Sequence, residues 1–151
     1  MLTNAGVTSE CASKTVIKTI GNEVKLISPD GGALKKIYKV SEFLGGVDVV
    51  ECSKSRDVKT GKLSGFKVYE DDLQGMDCLI VDDICDGGGT FVGLAQELKN
   101  KNAGKLYLAV SHGIFNKGFE VLDCFEKIFT TNSFKDFDDK KVEVVKLSEL
   151  I

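Results

Sequence analysis

The stretch "DCLIVDDICDGGGTFVGLAQELKNKNAG", residues 77–104, constrains the fold more than any other part of the chain. Its apolar run carries no alternating polar residues, the pattern of a parallel strand covered on both faces. Acids and three glycines follow, and then apolar residues at helical spacing up to a helix end expected at Gly104. A strand that passes through one tight corner into a helix is the repeating unit of an α/β sheet.

The rest of the chain continues the alternation. "TSECASKTVIKTI" predicts a helix with Ala12, Val16, Ile17 and Ile20 on one face and Thr8 or Ser9 as its cap. "EVKLIS" predicts a strand, "DGGALKKIYKVSEFL" a helix with Leu34, Ile37, Tyr38 and Leu44 inward, and "VDVVEC" a second strand. After "DCLIVDD" and its helix come "KLYLAVSHG", "KIFTTNS" and "KVEVVKL", three further strands. Strands and helices in regular succession imply right-handed crossovers. The expected fold is therefore α/β, a doubly wound, mainly parallel sheet of about five or six strands with helices on both faces. A chain of 151 residues suits one such domain, 1–151. Only the polar stretch of about residues 53–76 departs from the pattern, and it predicts a flexible hairpin or loop with a functional role.

Charge and cysteine usage exclude several classes of partner. A net charge of -3 and a pI near 5.2 leave no electrostatic footprint for nucleic acid. No apolar run reaches the roughly 18 residues of a membrane helix, and "MLTNAGVTSE" lacks the basic start and apolar centre of a signal peptide. The expectation is a cytoplasmic protein with no membrane and no nucleic acid partner. Five cysteines with no C-x-x-C pair, beside one histidine, argue against a zinc site. Their odd number, and the apolar settings of Cys52 and Cys78, predict reduced and mostly buried thiols.

In an open α/β sheet, ligands bind at the carboxyl ends of the strands. "SPDGG", "CSKSR", "DDICDGGGT", "SHGIF" and "TTNS" all begin there. Free N–H groups at a helix start form an anion site. Gly87, Gly88 and Gly89 let a phosphate approach the backbone, and Thr90 adds a hydroxyl. The spacing is neither a P-loop nor a dinucleotide fingerprint. Asp82 and Asp83 can accept hydrogen bonds from two ribose hydroxyls, or hold a Mg²⁺ bridging sugar and diphosphate oxygens. The bland alternative is a strand–turn–helix corner with solvated acids. Asp30, with Gly31 and Gly32, is equally compatible with a plain turn and helix cap. His112 suits a base or metal ligand, or more simply a packed strand-end residue with one hydrogen bond. "KDFDDKK" is simplest as a solvated loop, and Phe115, Phe119, Phe125 and Phe129 as core or subunit contacts.

"CLIVDDICDGGGT" resembles the motif that binds phosphoribosyl diphosphate (PRPP) in type I phosphoribosyltransferases and PRPP synthetases. "LISPDGGALKKIYKV", "AVSHGIF" and "FTTNSF" are similar, in order, to further segments of the synthetases. Together they cover nearly the whole chain and resemble the C-terminal half of a ribose-phosphate diphosphokinase. That family makes PRPP and AMP from ribose 5-phosphate and ATP with Mg²⁺, in nucleotide biosynthesis. The resemblance assigns ribose-5-phosphate binding to Asp82, Asp83 and the turn Asp86, Gly87, Gly88, Gly89 and Thr90. It makes Asp30 a metal-associated acid and Lys54 and Arg56 the catalytic basic pair of a flexible loop. Two cations at i and i+2 of an extended segment share a side and can stabilise a diphosphoryl group in transfer; a solvated basic loop is the alternative. The resemblance also implies a homo-oligomer or pairing with an N-terminal half. The rival functions are a type I phosphoribosyltransferase acting on a nucleobase, and a non-catalytic PRPP-binding subunit.

Overall fold

The computed structural model describes residues 16–21, 23–61, 63–131 and 137–145. After a helical segment at residues 16–20, the elements are β1 (Val24–Ser28), α1 (Leu34–Phe43), β2 (Val49–Arg56), β3 (Leu63–Val68) and β4 (Asp77–Cys85). Then come α2 (Gly89–Asn100), β5 (Leu106–Gly113), a 3₁₀ turn (Glu120–Leu122), β6 (Lys127–Thr131) and β7 (Val142–Val145). The seven strands form one sheet in the order β3-β2-β1-β4-β5-β6-β7. Every neighbouring pair is parallel except β2 and β3, which form an antiparallel hairpin. The hairpin's second arm joins the sheet edge, so the stretch 53–76 adds a strand to the expected count.

Side-chain alternation along the central strands splits the core in two. Cys78 and Ile80 of β4 face α2, with Phe91, Leu94 and Leu98. Leu79 and Val81 face the other side, with Val16, Ile37 and Val40. A sheet buried on both faces requires the unbroken apolar runs that β4 and β5 display. The alternation continues through the acids, because β4 runs to Cys85 and Asp82 pairs in register with Val110. Asp82 and Asp83 thus lie within the strand, as the strand reading of "DCLIVDD" expects, and the strand runs on two residues further.

Three local expectations change. Helix α1 buries Ile37, Val40 and Ser41, whereas Tyr38 points outward and donates its hydroxyl to Glu51 Oε1 at 3.1 Å. Helix α2 stops at Asn100, not Gly104, because Asn102 adopts a left-handed φ of 65°. Gly104 serves packing instead: a Cβ there would lie 2.3 Å from the Gly75 carbonyl oxygen. In "KDFDDKK", Phe137 joins an aromatic trio with Phe115 and Phe119, at centroid distances of 5.1 and 5.6 Å, and Lys141 donates to the Phe125 carbonyl. Asp138, Asp139 and Lys140 keep the exposed role expected of that loop, and residues 135–136 lie outside the described set.

Cys52, Cys78 and Cys85 are free and buried, and Cys124 is free and exposed. Burial pushes the Cys52 and Cys85 thiols up to about 12 and Cys78 to about 11, so these are packing residues rather than nucleophiles. Phe115, Phe125 and Phe129 are core residues. Cys11, Ala12 and the caps Thr8 and Ser9 lie outside the described residues. Among those described, no helix is long and apolar enough to cross a membrane.

Candidate active site

The corner between β4 and α2 is shaped by Gly88, whose left-handed φ of 90° few other residues adopt. Leu122 presses on it, and a Cβ at Gly88 would meet Leu122 Cδ2 at 2.7 Å. The loop after β5 braces the corner from behind: Ile114 N–H donates to the Cys85 carbonyl at 2.9 Å and Asn116 N–H to the Asp86 carbonyl at 3.0 Å. The first N–H groups of α2 have no partner within the helix and carry its positive dipole end. Lys54, Asp82, Ile84, Asp86, Gly87, Gly88, Gly89, Thr90 and Phe91 line an open cleft of about 400 Å³ over this corner.

A smaller cleft of about 210 Å³ adjoins it, lined by Asp30, Gly32, Ala33, Lys36, Ile37, Val81, Asp82 and Asp83. Asp82 alone lines both. Its Oδ1 accepts the Asp83 N–H at 2.8 Å. Burial pushes its carboxyl above the ordinary range, aided by the charges of Asp30 and Asp83. Asp83 lines only the smaller cleft, where Lys36 pairs with it.

At Asp30 the plain and the functional expectation coexist. Oδ1 accepts the Ala33 N–H at 2.9 Å, which orders the entry to α1, and Oδ2 pairs with Lys54 Nζ at 3.0 Å. Burial raises this carboxyl, but Lys54 and the N–H groups of Ala33 and Gly32 outweigh it, so the net shift is downward.

The basic pair separates. Lys54 reaches the clefts, while Arg56 donates through Nη1 to the Gly61 carbonyl at 3.2 Å and steadies the hairpin tip. Arg56 lines neither cleft. His112 is exposed on β5, in register with Ile84, and is not the packed residue its strand-end position suggested. Lys36 escaped notice in the sequence because its partner Asp83 lies 47 residues away; the only hint was the basic start of the helix after "SPDGG". Among the described residues, no three acidic, histidine or cysteine side chains converge as a ready metal site.

Residues 9–145 match the phosphoribosyl transferase domain family. The chain is 32% identical over 133 residues to the ribose-phosphate pyrophosphokinase of Mycoplasmopsis pulmonis, a match covering 83% of this chain and 41% of that protein. It is 33% identical over 129 residues to the enzyme of that name from Sulfolobus acidocaldarius, covering 83% and 44%. The crystal structure of phosphoribosylpyrophosphate synthetase from Mycobacterium smegmatis superposes with a TM-score of 0.73 at 26% identity, over 92% of this chain and 47% of that one. The chain therefore spans about two fifths of the curated relatives it matches. Since the matched span takes in every strand and helix that frames the cleft, from the Asp30 loop to the end of β7, the chain belongs to the phosphoribosyl transferase domain family.

Proposed function

We propose that this chain is the sugar-phosphate-binding half of a ribose-phosphate diphosphokinase, a single domain over 1–151 that binds ribose 5-phosphate and PRPP and takes part in diphosphate transfer from Mg-ATP. The observation that carries the proposal is the shared cleft: Lys54 from the hairpin, Asp82 from β4 and the glycine corner face one volume. The corner receives the 5-phosphate on backbone N–H groups, where a dipole and close approach favour an anion. Asp82, with Asp83 at the adjoining cleft, accepts hydrogen bonds from the sugar hydroxyls. Lys54 stabilises charge that develops on the diphosphoryl oxygens during transfer. Arg56, held at the hairpin tip, acts beside Lys54 only after the hairpin closes.

The donors around the smaller cleft are carboxylate oxygens, the type that Mg²⁺ takes. Mg²⁺ is usually held by one or two carboxylates, with substrate phosphates and water completing the shell. Asp30 and Asp82 fit that arrangement and would hold the ion, which neutralises diphosphate charge when bound. The relatives that carry the ribose-phosphate pyrophosphokinase name are longer, which supports pairing with an N-terminal half for turnover; a homo-oligomer is the alternative. A cytoplasmic place in nucleotide biosynthesis follows from the same reading.

The test is to incubate the pure chain with ribose 5-phosphate and Mg-ATP and measure AMP, and separately with PRPP and a panel of nucleobases. AMP release, or calorimetric binding of ribose 5-phosphate lost in Asp82→Asn, supports the proposal. Pyrophosphate release with a base would assign a phosphoribosyltransferase instead. Absence of any sugar-phosphate binding would end it.

A further inference from the structure

Lys36 has no part in the site as the sequence sets it out, yet its ammonium is placed among the acids. It projects from the first turn of α1, pairs with Asp83, and lines the smaller cleft with Asp30 and Asp82. The Lys36 and Asp83 side chains are 31% and 47% exposed, so the pair can open without unfolding anything. From the other direction Lys54 covers Asp30. Both acids beside Asp82 are therefore neutralised by a lysine.

A divalent ion entering this cleft alone meets two ammonium groups as well as carboxylates, and like charges a few ångströms apart oppose its binding. A phosphoryl anion reverses the balance. Its oxygens attract Lys54, which lines the corner cleft and so uncovers Asp30, while the hydroxyls of the attached sugar compete with Lys36 for Asp83. Lysine suits the exchange because its ammonium offers three donors on a flexible stem.

We propose that Lys36 sets the order in which the site fills: it covers Asp83 and yields it when a sugar phosphate enters, so that sugar phosphate and divalent cation bind cooperatively. The inference rests on the sugar-phosphate function above for the identity of the anion. Lys36 acts here as a positioning residue, through Asp83. Because coupling between two ligands is reciprocal, each tightens the other by the same factor.

The test counts bound Mn²⁺ by electron paramagnetic resonance, with and without ribose 5-phosphate, in the unaltered chain, Lys36→Met, Lys36→Arg and Lys39→Met. Lys39 is an exposed neighbour on the same helix that lines neither cleft, so it controls for loss of charge alone. In the unaltered chain, ribose 5-phosphate is expected to tighten Mn²⁺ about fivefold or more. Lys36→Met binds Mn²⁺ alone tighter by a similar factor and gains little from the sugar phosphate, whereas Lys36→Arg and Lys39→Met behave as the unaltered chain. Unchanged coupling in Lys36→Met overturns the inference while leaving the sugar-phosphate function standing. An equal response in Lys39→Met also overturns it, because a diffuse field would then suffice. A chain that binds no ribose 5-phosphate removes both.

Discussion

The corner after β4 and the loop after β1 both follow parallel strands and both border Asp82, but they hold their shape by different means. At the corner, Gly88 takes a conformation that L side chains rarely adopt, and Leu122 leaves no room for a Cβ. Backbone hydrogen bonds from Ile114 and Asn116 hold it in place. The loop after β1 depends on side-chain charge: Asp30 takes Lys54, and across the cleft Asp83 takes Lys36. In the proposed function the first region is a rigid receptor for one anion. The second consists of ion pairs that ligands can exchange. Rigid geometry supplies orientation, whereas exchangeable charge can respond to what has already bound.

That contrast can be broken by experiment. Lys54→Ala should carry the largest effect: the proposed diphosphate transfer falls about a hundredfold or more while ribose 5-phosphate binding persists, because the corner does not depend on that lysine. A turnover rate left intact would remove Lys54 from the chemistry. At the rigid corner, Gly88→Ala should cost about 1–3 kcal/mol in denaturant unfolding and abolish sugar-phosphate binding. Adding Leu122→Ala should not restore binding, since the strained φ of 90° remains; full recovery would show that crowding alone makes the glycine necessary.

Smaller effects separate the charges. The Asp82 carboxyl is raised by burial, so the folded chain binds its proton more tightly than the unfolded chain does. Its ionisation therefore lowers stability as pH rises through that window. Asp82→Asn should raise the melting temperature at neutral pH, with the gain vanishing below about pH 4, the unfolded carboxylate range. A gain independent of pH would point to packing. Asp30 has the opposite sign, being held below its ordinary range. Lys54→Met should cost under about 1 kcal/mol of stability, a loss that fades as Asp30 protonates below about pH 4. The smallest change belongs to Gly89→Ala, where a Cβ meets nothing within 4 Å. It should stabilise α2 by up to about 0.5 kcal/mol; a large loss there would extend the corner's rigidity to Gly89.

Local patterns carried far in this chain where one segment sufficed. The unbroken apolar runs of β4 and β5 announced a sheet covered on both faces, and burial of Cys78 to Val81 agrees. The glycines before Thr90 announced a strand–corner–helix, and α2 begins at Gly89. Legibility failed where two segments meet. Tyr38 fits a helical stripe as well as Val40 does, but only the sheet decides which is covered. Lys54 and Arg56 look equivalent along one strand, yet Asp30 takes the first and the hairpin tip the second.

By itself, then, the amino-acid order determined the layered α/β plan, the acids on the central strand and the place of the glycine corner. Those depend on periodicity and backbone conformation, which are properties of a few consecutive residues. The tertiary structure decided how the charges pair: Lys36 with Asp83, Lys54 with Asp30, and Asp82 left between two clefts. Electrostatic partnership depends on distance in space, and only folding brings residues 47 positions apart in sequence to a single contact.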